Sequence, residues 1–200
     1  NLDVICNLGK DNGFTNEVMQ GFKPLTKDVV SSPDLLFETK QSNKKWLIDT
    51  IASRAAQGKE KLQELFFSKE KIEKGSTIAG ELSPYKDKDV LFVGWGRPDP
   101  QKGFPTTLEG ILDYLKNDSV KPETKEHAKF LIGAGPWGED APDWKTIQEQ
   151  MQEIQGLEGG KYKGNVCYLN GFFSNRIVAC ADYANITSRY EPCGITPLEA

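Results

Sequence analysis

Histidine is nearly missing from this 200-residue chain: His127 is the only one. Cysteine is scarce as well, with four residues at positions 6, 167, 180 and 193 and no Cys-x-x-Cys pair. A zinc centre built from closely spaced Cys and His ligands therefore has too few donors. The thiols read instead as reduced cysteines of an intracellular enzyme, with Cys167 and Cys180 as small core residues. Charge of one sign is lacking too. The 25 Lys and Arg stand against 29 Asp and Glu, a net charge of −4, without the basic excess that marks a nucleic-acid surface. No apolar run approaches the roughly 18 residues of a membrane span. A secretory signal, an internal repeat and a low-complexity tract are all absent from the sequence.

What the chain does have, from Asp89 onward, is an alternation of apolar runs and helical patterns, as in a parallel α/β sheet. Val90 to Val93 is a short continuous apolar run, expected to be a strand covered on both faces. Thr106 to Lys116 reads as a helix with Leu108, Ile111, Leu112 and Leu115 on one face. Ala128 to Ile132 reads as a strand running into Gly133-Ala134-Gly135-Pro136, and Trp144 to Ile154 as a helix. Val166 to Leu169 is expected to be a third strand, Ser174 to cap a helix reaching Ala181, and Ala184 to Thr187 to be a fourth strand. The first 88 residues are less patterned. Asn43 to Phe67 is expected to be helical although Gly58 weakens its middle, Lys69 to Lys74 to be a solvated charge run, and Ser76 to Lys88 an irregular link.

Two segments carry chemistry. The turn after the first strand, Gly96-Arg97-Pro98-Asp99-Pro100-Gln101-Lys102-Gly103, pairs two cations with two glycines. Arginine offers phosphate oxygens a planar fork of donors, and lysine adds a compact charge. Asp99 stands where a dinucleotide fingerprint needs its third glycine, and no Ser or Thr follows the lysine as in a Walker loop. The second segment is Ile186-Thr-Ser-Arg-Tyr-Glu191-Pro-Cys-Gly194-Ile-Thr-Pro-Leu-Glu199-Ala200. Thr196, Pro197 and Glu199 have the pattern of a capped helix start. Cys193, Gly194, Ile195 and Thr196 precede or open that helix, and their N–H groups suit an anion. Glu191 stands beside them, a carboxylate with no capping duty. Each motif also has a plain reading, as a capped helix or a pair of solvated surface charges.

The wording is more specific than the pattern. Ser188 to Ile195, with Glu199 following, resembles the signature of retaining glycosyltransferases of the glycogen and starch synthase family, Pro-Ser-Arg-aromatic-Glu-Pro-Cys-Gly-Leu with a second glutamate. Thr187 replaces its proline and Ile195 its leucine. The Gly96 to Gly103 turn is similar to the first strand-loop of that family's C-terminal domain, with Pro98 where leucine is commoner. Asp11-Asn12-Gly13-Phe14 matches loosely the loop that introduces it.

The resemblance implies a Rossmann-like parallel sheet flanked by helices, one half of a GT-B glycosyltransferase truncated at its C-terminus. Residues 1–88 would lead into the domain and residues 89–200 would form it. It implies transfer of glucose from ADP-glucose or UDP-glucose to the non-reducing end of an α-1,4-glucan, with no metal and no cofactor. Arg97 and Lys102 would then hold the donor diphosphate, with Gly96, Gly133, Gly135, Cys193, Gly194, Ile195 and Thr196 around the donor. Glu191 would orient the glucose, and Glu199 would bind the ribose unless it closes the capping box. The α-glucan acceptor would bind an N-terminal domain that has no counterpart here, so this chain alone is expected to bind donor weakly and not to turn over. A cytoplasmic setting, or a plastid in a plant, would follow, with neither nucleic acid nor membrane as partner. Three alternatives stay open: a capsule or glycoconjugate glycosyltransferase with another donor, a nucleotide-sugar- or glucan-binding module without catalysis, and a purely structural α/β domain.

Overall fold

A computed structural model describes residues 21–171 and 175–189. Four helices come first: α1 (Lys27–Ser31), α2 (Pro33–Ala56), α3 (Lys59–Phe66) and α4 (Lys69–Glu73). The long helix α2 starts ten residues before the expected Asn43. Ser32 caps it, its Oγ accepting from Leu35 N, and Pro33 and Asp34 occupy its first turn. The expected single helix is broken at Gly58, which takes φ 115° and separates α2 from α3. Helix α4 buries none of its residues, as a solvated charge run should.

The next element corrects the expected irregular link. Residues Thr77–Gly80 form strand β1, and β2 (Val90–Gly96) follows. Then come α5 (Phe104–Lys116), α6 (Pro122–His127), β3 (Ala128–Ala134), α7 (Pro142–Gly156), β4 (Val166–Asn170) and β5 (Tyr183–Ala184). The expected fourth strand is thus a two-residue strand starting one position early. The helix expected before it is a 3-10 turn, Asn175–Cys180; Ser174 lies outside the described residues. The strands form one sheet in the order β1-β4-β3-β2-β5. Pairs β2–β3, β3–β4 and β2–β5 are parallel, and β1 runs antiparallel to β4, so the sheet is mixed and not wholly parallel.

Period-two alternation sorts the strand side chains into two cores. Leu91, Val93, Leu131, Cys167 and Leu169 face Leu47, Ile48 and Ile51 of α2 and Leu62, Leu65 and Phe66 of α3. Phe130, Ile132, Val166 and Tyr168 face Leu108, Ile111 and Leu115 of α5 and Ile147, Met151 and Ile154 of α7. Each fully buried Leu or Ile contributes about 1.5–3 kcal/mol of transfer free energy. Residues before position 89 thus supply most of the helical layer on one face of the sheet, joined there by Ile177, Cys180 and Ala181.

Polar groups secure the edges of the strands. The Lys44 ammonium on α2 donates to both Asp182 carboxylate oxygens, at 2.9 and 3.1 Å, and to the Asp89 carbonyl at 2.8 Å. Asp182 also accepts from Leu91 N at 2.8 Å, which holds β5 beside β2. Asp89 pairs with His127 Nδ1 at 2.8 Å. Lys129, 1% exposed on β3, donates to Ser83 Oγ and the Gly164 carbonyl. Cys167 and Cys180 are both buried, and burial pushes both thiols above the ordinary range.

Candidate functional site

The chain runs from β2 outward to β3 and β4 on one side, then returns to the other side of β2 for β5. Such a reversal leaves a crevice beyond the carboxyl ends of the two strands, where open α/β sheets bind ligands. The loops flanking it are residues 97–103 after β2, the first segment that the sequence marks for chemistry, and 185–189 after β5, where the second begins. Strand β3, on the other flank of β2, brings Gly133 level with Trp95 and Ala134 level with Gly96.

The first loop is a tight structure built by its own residues. Gly96 ends β2, and a Cβ there would meet the Phe104 ring at 3.2 Å. Asp99 caps a 3-10 turn, Pro100–Lys102, its carboxylate accepting from Gln101 N at 2.9 Å. Gly103 then takes a left-handed conformation, φ 67° and ψ 33°, and delivers the chain into α5 with Pro105 in the first turn. Arg97 is exposed at the tip and Lys102 is half-buried at the end of the turn.

The second loop is seated on the first. Arg189 N donates to the Gln101 carbonyl at 2.8 Å. Thr187 Oγ1 lies 3.1 Å from the carbonyls of both Lys102 and Gly103. It also lies 2.6 Å from Thr107 Oγ1 on the first turns of α5. A Cβ on Gly103 would come within 2.6 Å of the Thr187 carbonyl oxygen, so only glycine allows this approach. The interface leaves a notch of merely about 10 Å³ between Trp95, Lys102, Phe104, Asn185, Thr187 and Ser188. Arg97 and Lys102 therefore share one rim with the entry to the C-terminal signature. Glu191, Cys193, Gly194, Ile195, Thr196 and Glu199 lie outside the described residues, as does the Asp11 to Phe14 loop.

On the β3 side, Gly135 takes φ 148° and precedes a cis peptide to Pro136. Added bulk there would strike Asn170 Oδ1 at 2.5 Å. That oxygen accepts from Trp137 N at 2.9 Å, and Trp137 Nε1 donates to the Tyr168 hydroxyl at 2.9 Å. Burial raises the Tyr168 phenol well above the ordinary tyrosine range, so it stays a neutral hydrogen-bonding group. Between this loop and the cationic one lies a cleft of about 320 Å³, walled by Pro98, Pro100, Pro136, Trp137, Ala141 and Pro142. Among the described residues no cluster of three or more His, Cys, Asp or Glu could hold a metal ion. No described helix is long and apolar enough to cross a membrane.

Thr107 and Asn170 brace the site loops, yet the sequence gives no sign of it. Thr107 and Thr187 are 80 residues apart, and neither sits in a spacing that pairs them.

No protein-family model matches the chain. Curated proteins do. The chain is 26% identical over 125 residues, 62% of its length, to granule-bound starch synthase 1 of Pisum sativum. It is 28% identical over 131 residues to soluble starch synthase 1 of Solanum tuberosum, 65% of this chain. It is 31% identical over 115 residues to the glycogen synthase of Yersinia enterocolitica, 56% of this chain. The match spans only 18% of the length of either starch synthase and 20% of that glycogen synthase. Together with the α/β sheet, these likenesses to starch and glycogen synthases support a glycogen/starch synthase-like domain.

Proposed function

We propose that this chain forms the donor side of a retaining glucosyltransferase that builds α-1,4-glucan from ADP-glucose or UDP-glucose. The observation that carries the reading is the seating of residues 187–189 on the 101–103 turn, which brings the Arg97 and Lys102 loop to the start of the Glu191 signature. The guanidinium and ammonium would neutralise the diphosphate as it leaves, charge that develops in the transition state. Amides from Cys193 to Thr196 would add donors to the same group. Glu191 orients the glucose and stabilises positive charge at its anomeric carbon, and Glu199 takes the ribose hydroxyls. The proline- and tryptophan-walled cleft beside Pro98, which Asp143 also lines, suits the flat base. The α-glucan is the acceptor, and the transfer needs no metal.

Calorimetric titration of the chain with ADP-glucose and with UDP-glucose tests this, repeated on Arg97→Ala and Lys102→Ala. Each charge-assisted contact is worth about 1.5–3 kcal/mol, so each substitution should weaken donor binding by roughly 10- to 100-fold. Equal affinity in both variants would move the diphosphate elsewhere.

A further inference from the structure

Thr187, in the second site loop, makes a contact with Thr107 on α5 that neither motif accounts for. Thr187 and Thr107 face each other at 2.6 Å, and the acceptors around them are the carbonyls of Lys102 and Gly103. Two hydroxyl protons serve this group. In one arrangement Thr107 donates to Thr187, which donates to the Lys102 and Gly103 carbonyls together. In the other Thr187 donates to Thr107, which reaches the Gly103 carbonyl at 3.3 Å. Both give each hydroxyl proton an acceptor, and both tie the end of the cationic turn to residue 187. Thr107 is buried, so water competes poorly for these bonds.

The Gly103 carbonyl is also the acceptor of the first α5 bond, from Thr107 N at 3.0 Å. The hydroxyl pair therefore fixes three things at one point: the left-handed Gly103, the start of α5 and the residue that leads into Arg189. We infer that Thr187 and Thr107 form a hydroxyl latch that positions the Arg97–Lys102 loop against residues 187–189, the described entry to the C-terminal signature, for donor binding. The latch rests on the donor-binding reading above, and both threonines are positioning residues. They act through the backbone of the turn.

The test uses the whole chain with Thr187→Val, Thr187→Ser, Thr107→Val and the Val/Val double variant. Amide hydrogen exchange is followed over residues 97–104, with β4 as an internal reference, and ADP and UDP affinities are measured by calorimetry. Loss of a hydrogen bond of ordinary net worth should speed exchange in 97–104 and weaken nucleotide binding by about tenfold in Thr187→Val, leaving β4 protection unchanged. Thr187→Ser keeps the hydroxyl and should match the parent. The double variant should be no worse than either single, because one coupled unit is lost once. Unaltered exchange over 97–104 in Thr187→Val would overturn the latch, and so would faster exchange spread equally over β4. If the parent binds neither nucleotide, the donor assignment fails and the positioning role with it. The exchange comparison then still shows whether the hydroxyls tie the loops.

Discussion

Replacing Gly103 with alanine should damage the protein well beyond what one methyl group suggests, and the structure supplies the terms. The residue sits at φ 67°, where an L side chain costs about 1–2 kcal/mol. Its Cβ would approach the Thr187 backbone oxygen to 2.6 Å, a contact that only a backbone shift can relieve. Moving residues 187–189 away would loosen the Thr187 hydroxyl contacts and the Arg189 N bond to Gln101, each worth about 0.5–1.5 kcal/mol net. The expected loss is about 2–4 kcal/mol, or about 5–15 °C in Tm for a domain of this size. Gly110 is the control within the same helix: it is exposed, and nothing lies within 4 Å of its would-be Cβ. Gly110→Ala should stabilise by about 0.5–1 kcal/mol through helix propensity alone. Urea unfolding followed by circular dichroism reads both. Gly103→Ala within about 0.5 kcal/mol of the parent would refute the close-approach argument, and so would equal effects of the two substitutions.

Two further expectations concern the buried charges. Asp182→Ala leaves the Lys44 ammonium, 6% exposed, without its carboxylate, and should destabilise by about 2–4 kcal/mol in urea unfolding; a change under about 0.5 kcal/mol would show the tie to be ornamental. Burial holds the Lys129 ammonium below the ordinary lysine range, with Asp89 opposing that shift. The folded chain therefore binds fewer protons than the unfolded chain between that lowered value and the ordinary one, and this residue's contribution to stability rises with pH there. The buried thiols Cys167 and Cys180 act with the opposite sign above the ordinary thiol range, so the measurement is a difference. The stability of the parent minus that of Lys129→Met should increase as pH rises toward the lysine range; a flat or falling difference would sink the assignment.

Periodic segments were the legible ones. The face Leu108, Ile111, Leu112, Leu115 announces α5, and all four residues are buried. The apolar run from Val90 announces β2, which continues through Gly96 because β3 pairs with it along that whole length. Helix α2 hid its first turns, since Leu35 and Phe37 there are exposed and only Ser32-Pro33-Asp34 marks the start. Strand β1 escaped notice because a four-residue strand with one buried side chain, Ile78, has too few positions to show a period. The cationic turn could be read from its residues, for guanidinium, ammonium and glycine advertise their chemistry. Thr107 and Asn170 could not, because a single hydroxyl or amide acquires its role from a neighbour that only folding brings within reach.

The pairing of Lys44 with Asp182 carries a consequence for how the molecule assembles. Its partners are 138 residues apart in sequence, so the loop it closes is among the longest this chain can make. Contacts of such separation form after the local hairpins and helix–strand units. Docking of the early helix onto the finished sheet is then a closing step of folding. Weakening this clasp hastens escape from the native state and leaves the speed of reaching it nearly untouched.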